Sequence, residues 1–263
     1  MKDIKILIVG LGNIGSSLAK GLLEQGYDNN NLYSIDNGNN QNAQRLGVNM
    51  INNLAELTEV DVVIFAVKPN VLLEILPNYQ QFSNSLFISV AAGITTQNIQ
   101  NGLGERYKIV RAMPNTPVSI GCGMTGMFAN PHVAEQDKKI AEQLFSTVGE
   151  VAWVDLEAML DAVTAISGSG PAYFFLLAEC LANSGEQLGL PPVLANQLAI
   201  QTALGAGKLL ANGELSAQEL REMVTSPQGT TEAAIQSFMQ DDLPHTIYKG
   251  VVAANSIAKK MSQ

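Results

Sequence analysis

Residues 4–15 read IKILIVGLGNIG, an apolar run that leads directly into a glycine-rich turn. A near-continuous apolar run of this length is typical of a parallel strand that is buried on both faces. The turn has the spacing G-x-G-x-x-G, formed by Gly10, Gly12 and Gly15. Between a strand and a helix, these glycines make the tight turn, admit a pyrophosphate and let helix and strand pack closely. The sequence therefore predicts a dinucleotide site, and the alternative is a glycine-rich turn without a ligand.

The helix predicted after the turn, from Asn13 to Gln25, begins at the same point. A helix N-terminus presents unpaired N–H groups and partial positive charge, so the backbone at Asn13 and Ile14 is suited to phosphates. Gly26 ends the helical pattern, as a glycine commonly does. We therefore expect the phosphates of the dinucleotide at the start of this helix.

Asp36 follows the second predicted strand, Leu32–Ile35, about 20 residues beyond the turn, where an acidic residue binds the adenine ribose hydroxyls of NAD. A 2′-phosphate at this place would meet a like charge. Its neighbours, Asn37 and Gly38, provide no arginine to offset that charge. The sequence predicts that NADH is used at least as well as NADPH, unless Asp36 is an ordinary turn aspartate.

Strand and helix patterns alternate over the first 150 or so residues, which is typical of a doubly wound α/β sheet. Further strands are predicted at Val48–Ile51, Asp61–Val67, Leu86–Ala91 and Lys108–Ala112. From Leu156 onward the strand signal disappears and the pattern is helical and rich in alanine and leucine. We therefore predict two domains, an α/β domain over residues 1–154 and an all-α domain over residues 155–263.

Several helices predicted in the second domain, such as Ala172–Ala182, are apolar nearly all round. Such a helix has to be buried on every side, and a small helical domain achieves this most easily by packing against a second subunit. The sequence thus predicts a homodimer.

Composition excludes several classes of protein. The chain is 46% hydrophobic and 15% charged, which argues against disorder, and its net charge of −9 without a basic run argues against nucleic acid and anionic membranes as partners. Its two cysteines form no C-x-x-C pair and its two histidines are isolated, so no metal site is expected. The apolar runs are too short for a membrane span, and the first residues lack the layout of a signal peptide. We expect a soluble, cytoplasmic protein.

Four further motifs occur in order along the chain. They are Ala66-Val67-Lys68-Pro69, Arg111-Ala112-Met113-Pro114-Asn115-Thr116-Pro117, Ser167-Gly168-Ser169-Gly170-Pro171-Ala172-Tyr173 and Val224-Thr225-Ser226-Pro227-Gln228-Gly229-Thr230-Thr231. Together with the glycine-rich turn, this set resembles the pyrroline-5-carboxylate reductase family from the first strand to Thr231. The resemblance implies a Rossmann-type dinucleotide-binding domain followed by an all-α dimerisation domain. It also implies reduction of 1-pyrroline-5-carboxylate to L-proline with NADPH or NADH, by a homodimer that in the family often assembles as a ring of five dimers.

The resemblance also implies which residues contact the cofactor. The set is Gly10, Gly12, Asn13, Ile14, Gly15, Asp36, Asn37, Asn53, Ala66, Val67, Lys68, Pro69 and Asn115. Ala66–Pro69 would lie near the ribose and nicotinamide, and Asn53 matches a position that touches the nucleotide. Lys68 is either a general acid or a surface cation whose stem covers apolar surface. The two prolines around Asn115 also allow the reading of a rigid connector.

The motif that ends at Thr231 is expected to bind substrate. A loop precedes a helix predicted to start near Thr230, and free N–H groups with hydroxyls at a helix N-terminus suit a carboxylate. Ser226, Gly229 and Thr230 are assigned to the carboxylate, and by resemblance Thr231 is the catalytic hydroxyl near the imine nitrogen. The alternative is helix capping alone. The chain has Gln228 where the family usually has a second glycine, and glutamine is strained there if φ is positive.

The remaining motif, Ser167–Tyr173, is predicted to open a long helix, with Pro171 in its first turn and Ser169 or Gly170 as its cap. By resemblance the same segment borders the active site.

Two other functions compete with the reductase. One is a different two-domain reductase, either a β-hydroxyacid dehydrogenase or an imine reductase with another substrate. The absence of a lysine between Pro171 and Lys208 disfavours the dehydrogenase. The other is a nucleotide sensor that binds cofactor without consuming it.

Overall fold

A computed structural model describes residues 4–36 and 41–262 of the chain. One sheet of eight strands has the order β3-β2-β1-β4-β5-β6-β7-β8. The strands are β1 (Ile6–Val9), β2 (Leu32–Ile35), β3 (Asn49–Met50), β4 (Val62–Phe65), β5 (Leu86–Ser89), β6 (Lys108–Pro114), β7 (Gly123–Ala129) and β8 (Gly149–Trp153). All neighbours are parallel except β6 and β7, which are antiparallel. The predicted α/β fold followed by a helical region is confirmed.

Helices connect the strands and make up the rest of the chain. They are α1 (Asn13–Glu24), α2 (Gln41–Leu46), α3 (Pro69–Ile75), α4 (Thr96–Leu103), α5 (Glu135–Phe145), α6 (Met159–Val163), α7 (Gly170–Gln187), α8 (Pro192–Ala211), α9 (Ala217–Met223), α10 (Thr230–Gln240) and α11 (Leu243–Met261). Short 3₁₀ turns lie between several of them, and a π-helical turn at Thr164–Gly168 joins α6 to α7.

The central strands are buried on both faces, as their continuous apolar pattern predicts. In β1, Ile6 and Ile8 belong to the hydrophobic core on one side of the sheet, while Leu7 and Val9 belong to the core on the other side. This alternation follows from the two-residue period of a strand. The register pairs Val9 with both Ile35 and Phe65, so the carboxyl ends of β1, β2 and β4 lie side by side at one edge. Ligands of open α/β sheets bind at that edge.

Strands β7 and β8 were not predicted. Each begins with a glycine, Gly123 in β7 and Gly149 in β8, and glycine is depleted in strands. These two glycines pair where the backbones of the strands meet. A Cβ at Gly149 would lie 2.0 Å from the carbonyl oxygen of Gly123, so no side chain fits there. The feature that permits this strand pairing therefore also removes the sequence signal for it.

The chain divides into two compact units. The first runs to Ser169 and also includes the C-terminal residues from Ala254 onward, and the second is Gly170–Ala253. Every strand in the described part of the chain ends by Trp153, where the sequence pattern changes to helix. The compact units change later than this, so the limits 1–154 and 155–263 stay a prediction.

The second unit buries little of its own apolar surface. Its buried residues are Gly170 and three alanines, while Phe174 and Phe175 are each about two-thirds exposed. Contrary to the expectation from its short apolar runs, the helical stretch Met159–Gln187 is long and apolar enough to span a membrane by length and composition alone. Exposed apolar surface on this scale marks an interaction site.

One local prediction in this region is wrong. Neither Ser169 nor Gly170 caps a new helix at Pro171, because the chain is already helical before the motif. The N–H of Ser169 donates to the carbonyl oxygen of Thr164 at 2.8 Å, and Ser169 itself has helical backbone angles. The motif therefore marks a distortion within a helix, and such π-helical turns are rare and frequently occur at functional sites.

Candidate active site

The glycine-rich turn is packed so tightly that two of its glycines cannot carry a side chain. Gly10 has φ +93°, and its Cβ would lie 2.8 Å from Cγ1 of Val67. A Cβ at Gly15 would lie 2.1 Å from the carbonyl oxygen of Gly10, whereas a Cβ at Gly12 would meet nothing within 4 Å. The open space at Gly12, at the N-terminus of α1, is where a pyrophosphate would approach the backbone.

A cavity of about 900 Å³ lies at the carboxyl edge of β1, β2 and β4. It brings together many of the predicted cofactor residues. These are Gly10, Gly12, Asp36, Asn53, Ala66, Val67 and Lys68. Asn13 and Ile14 line a smaller cavity of about 430 Å³ instead, while Gly15 packs beneath the turn. Dinucleotides bind in the crevice at the switch point of such a sheet.

Asp36 contacts the glycine-rich turn directly. Its Oδ2 accepts the N–H of Leu11 at 2.7 Å, and Nδ2 of Asn42 donates to the carbonyl oxygen of Leu11 at 2.7 Å. The carboxylate thus lies at the cavity and also holds the turn. Asn37, which was predicted to bind cofactor, lies outside the described residues.

Another part of the cavity wall is built around Asn53. Its Oδ1 accepts the N–H of Ala55 at 3.0 Å, and Oε1 of Glu56 accepts the N–H of Asn53 at 2.9 Å. This reciprocal capping box fixes the short turn Leu54–Glu56. Tyr79 lies deeper in the wall, where burial raises the pKa of its hydroxyl above the usual range, so this group remains neutral.

Lys68 and Pro69 follow β4 at the same edge. Lys68 is the N-cap residue of α3, without a capping bond from its side chain, and Pro69 is at the start of the helix. Proline suits that place because its φ is already helical and the first N–H of a helix needs no partner. The motif thus turns the chain sharply at the cavity and places a cation in its lining.

Asn115 follows β6, and its side chain bonds to backbone groups. Its Oδ1 accepts the N–H of Met124 at 2.8 Å, and its Nδ2 donates to the carbonyl oxygen of Ser167 at 3.1 Å. Asn115 therefore links β7 to the π-helical turn. Within the described residues, the Oγ of Ser167 is one of the few buried polar atoms without a partner. The Ser167–Tyr173 motif was the only sequence signal for it.

A buried ion pair, which was not predicted, supports this edge of the sheet. Arg111 on β6 is only 4% exposed and approaches Oε1 of Glu157 at 3.3 Å and Oγ of Ser262 at 3.1 Å. The Glu157 carboxylate also accepts the N–H and the hydroxyl of Thr96, each at 2.7 Å. Ser262 in turn donates to Asp161 at 2.9 Å. The network joins residues that are up to 151 positions apart in the chain.

The predicted substrate loop belongs to the second unit. Helix α10 begins at Thr230, as predicted, and Gly229 is its N-cap residue. The N–H of Gly229 donates to the carbonyl oxygen of Ser226 at 3.0 Å, which closes the loop into a tight turn. Gln228 has φ +58°, so the glutamine does occupy a backbone conformation that favours glycine. Thr230 and Thr231 are the first two residues of the helix, where backbone N–H groups have no partner within the helix.

Comparison with known proteins found relatives over the full length of the chain. The family model described as "Pyrroline-5-carboxylate reductase dimerisation" matches residues 157–261, and one described as "NADP oxidoreductase coenzyme F420-dependent" matches residues 5–93. A pyrroline-5-carboxylate reductase of Pseudomonas aeruginosa is 38% identical, covering 100% of this chain and 98% of the relative. One of Arabidopsis thaliana is 36% identical, covering 100% and 97%.

Two solved structures are similar over the whole chain. A pyrroline-5-carboxylate reductase from Coxiella burnetii has a TM-score of 0.95 at 37% identity, covering 99% of each chain. Plasmodium falciparum pyrroline carboxylate reductase with NADP bound has a TM-score of 0.86 at 31% identity, covering 100% of each chain.

Proposed function

Since this chain belongs to the pyrroline-5-carboxylate reductase family, we propose that it reduces the C5=N bond of 1-pyrroline-5-carboxylate to give L-proline, the last step of proline biosynthesis. The observation that carries the proposal is the cavity at the carboxyl edge of the sheet. The glycine-rich turn, Asp36 and Ala66–Lys68 all line this cavity. The chain also matches members of this family over its full length.

In this mechanism the chain mainly binds and orients its ligands. A bound NADH or NADPH supplies a hydride from C4 of its nicotinamide ring. The turn from Gly10 to Gly15 holds the pyrophosphate, and the Ala66–Pro69 segment holds the nicotinamide half. The protonated imine is already a good hydride acceptor. The chain therefore has to bring donor and acceptor carbons to about 3–3.5 Å and exclude water.

Ser226, Gly229 and Thr230 take the substrate carboxylate in this proposal, since a helix N-terminus stabilises an anion. Thr231 orients the imine nitrogen with its hydroxyl, or delivers a proton to it through a water molecule. The turn closed by Gly229 and Ser226 supports the proposal, because it presents these groups together at the start of α10.

Turnover is tested by following consumption of NADH and of NADPH with 1-pyrroline-5-carboxylate, and formation of L-proline, in parallel. We expect stoichiometric L-proline. A chain that binds NADH but consumes none with this or any cyclic imine would instead be a nucleotide sensor. Turnover with another imine alone would identify a different imine reductase.

Replacing Thr231 by alanine is expected to lower kcat/KM for 1-pyrroline-5-carboxylate by about tenfold or more, because the imine loses its orienting hydroxyl. Thr231→Ser keeps the hydroxyl and should retain most of the activity. Thr225→Ala is the matched control, since the Thr225 hydroxyl donates to the carbonyl oxygen of Arg221 at 2.6 Å and serves its own helix end. Unchanged steady-state kinetics for Thr231→Ala would remove Thr231 from the mechanism.

We also propose that NADH is used at least as well as NADPH. The carboxylate of Asp36 lines the cavity beside the turn, where it opposes a 2′-phosphate, and residues 37–40 read NGNN without a cation.

The ratio of kcat/KM for NADH to that for NADPH is therefore expected to be one or greater. Asp36→Asn keeps an oxygen acceptor for the N–H of Leu11 but removes the charge, so it should shift this ratio toward NADPH by about tenfold. Asp28→Asn is the control, because Asp28 caps a turn at the start of β2 and should leave the ratio unchanged. A marked preference of the unmodified chain for NADPH would contradict the proposal.

The dimerisation domain identified over residues 157–261 accounts for the exposed apolar surface of the second unit. We propose that the chain is a cytoplasmic homodimer without a metal. In this proposal Met159–Gln187 packs against the partner subunit rather than in a membrane. Five such dimers form a ring. Light scattering on the purified protein tests this, since a monomer would exclude the dimer and a lone dimer would exclude the ring.

A further inference from the structure

Gln228 occupies a backbone conformation that its side chain does not favour. Its φ is +58°, and Gln228 and Asp242 are the two non-glycine residues with positive φ in the described part of the chain. Short polar side chains such as that of aspartate tolerate this region because they bond to the local backbone, whereas glutamine has no such advantage. A contact from another residue is therefore needed to hold Gln228 in this conformation.

The contact that holds it comes from Glu232, in the first turn of α10. Oε2 of Glu232 accepts the backbone N–H of Gln228 at 2.7 Å. A hydrogen bond to an ionised carboxylate is shorter and stronger than one between neutral groups. The bond reaches past the N-cap residue, Gly229, whose own N–H is already bonded to Ser226. Glu232 is thus the side chain that fixes the peptide group between Pro227 and Gln228, the residue with positive φ.

The same carboxylate is poorly placed for binding an anionic substrate. It lies at the end of the helix where Thr230 and Thr231 are proposed to receive a carboxylate, and two like charges at close range repel. An acid in the first turn does stabilise a helix through the macrodipole. This effect of Glu232 on the helix is the same whichever residue occupies position 228, whereas its effect on the loop depends on that residue. The two roles of Glu232 can therefore be measured separately.

We propose that Glu232 is a positioning residue for the substrate loop. Its carboxylate keeps Gln228 in the conformation that a glycine would adopt unaided, and so keeps Ser226, Gly229 and Thr230 arranged for the substrate carboxylate. The proposal rests on the proposed function of this loop. Because the binding-competent loop is only one of several conformations without Glu232, its loss weakens binding without changing the chemical step.

The test is a double-mutant cycle between positions 228 and 232, read as the KM for 1-pyrroline-5-carboxylate at saturating cofactor. Glu232→Ala should raise KM about tenfold with Gln228 present, since a non-glycine residue is left unsupported at positive φ, while kcat stays within about twofold. In a Gln228→Gly background the same change should leave KM within about twofold or lower it, because only the charge that repels the substrate carboxylate is then lost. Gln228→Ala is the matched control, and there the full rise should remain. An equal rise in the glycine and glutamine backgrounds, or no rise in either, would overturn the proposal.

Thermal unfolding of the same variants separates this proposal from the proposed function. If the unmodified chain reduces no 1-pyrroline-5-carboxylate with either cofactor, the proposed function fails and the melting temperatures decide the inference alone. Glu232→Ala should then lower the melting temperature more with Gln228 than with glycine at 228. Equal decreases would show that Glu232 acts only on the helix dipole, and the inference would be rejected. If the chain is active, the KM cycle decides.

Discussion

Gly15→Ala is expected to weaken NADH binding about a hundredfold or more, because the added methyl group has no room beneath the phosphate-binding turn. Its Cβ would lie 2.1 Å from the carbonyl oxygen of Gly10 and 3.2 Å from the Cβ of Ala66. The turn has to move away from β4, and the N–H groups that we propose to bind the pyrophosphate move with it. Fluorescence titration with NADH measures the loss, and urea unfolding shows whether the rest of the chain remains folded.

Gly12→Ala is the control that separates packing from ligand contact. A Cβ at Gly12 meets nothing within 4 Å in the protein, so the free energy of unfolding should be nearly unchanged. Affinity for NADH should still fall about tenfold, because a methyl group would stand where the pyrophosphate approaches the backbone. Normal NADH affinity in Gly15→Ala would show that the turn does not bind the cofactor as proposed.

Arg111→Ala is expected to lower the free energy of unfolding by about 3 kcal/mol. The change removes the buried partner of Glu157 and leaves a charge that is four-fifths shielded from water without its cation. It also releases the hydroxyl of Ser262. Urea denaturation measures the change. The free energy of unfolding of Arg111→Lys should lie between that of the unmodified chain and that of Arg111→Ala, because lysine keeps the charge but lacks the planar guanidinium group.

Lys138→Ala provides the surface comparison for Arg111. Lys138 pairs with Glu135 at 2.8 Å and lies 5.9 Å from the centre of the Trp153 ring, but it is partly exposed, so its removal should lower the free energy of unfolding by no more than about 1 kcal/mol. A change in Arg111→Ala no larger than that in Lys138→Ala would mean that the buried pair contributes no more than a surface pair.

The elements that were predicted correctly are those whose signal is local. The buried run Ile6–Val9, the three glycines after it and Asp36 at the end of β2 are each recognisable within a short window of sequence. The parallel register then brings them to one edge of the sheet without further information. The cavity with its Ala66–Lys68 wall follows from the same topology.

The features that were missed depend on contacts between distant residues. The pairing of β7 with β8 needs bare backbone at Gly123 and Gly149, which looks like a loop in sequence. Arg111 bonds to Ser262, 151 positions away, and Asn115 bonds to Ser167, 52 positions away. No local periodicity encodes such bonds. The motifs around Arg111 and Ser167 marked these residues as special, but only the folded chain shows what they bond to.

The return of residues 254–262 to the first unit has a consequence for biosynthesis. The ribosome makes these residues after the whole of the second unit, and until then Arg111 lacks Ser262, and Gly93 lacks Met261, whose carbonyl oxygen lies 2.6 Å from where a Cβ of Gly93 would be. Domains normally fold in the order in which they are made, N-terminal first. Here the sheet can assemble early, but the contacts at its edge are completed only after the second unit has been synthesised. Final consolidation of the first unit therefore waits for the synthesis of the second.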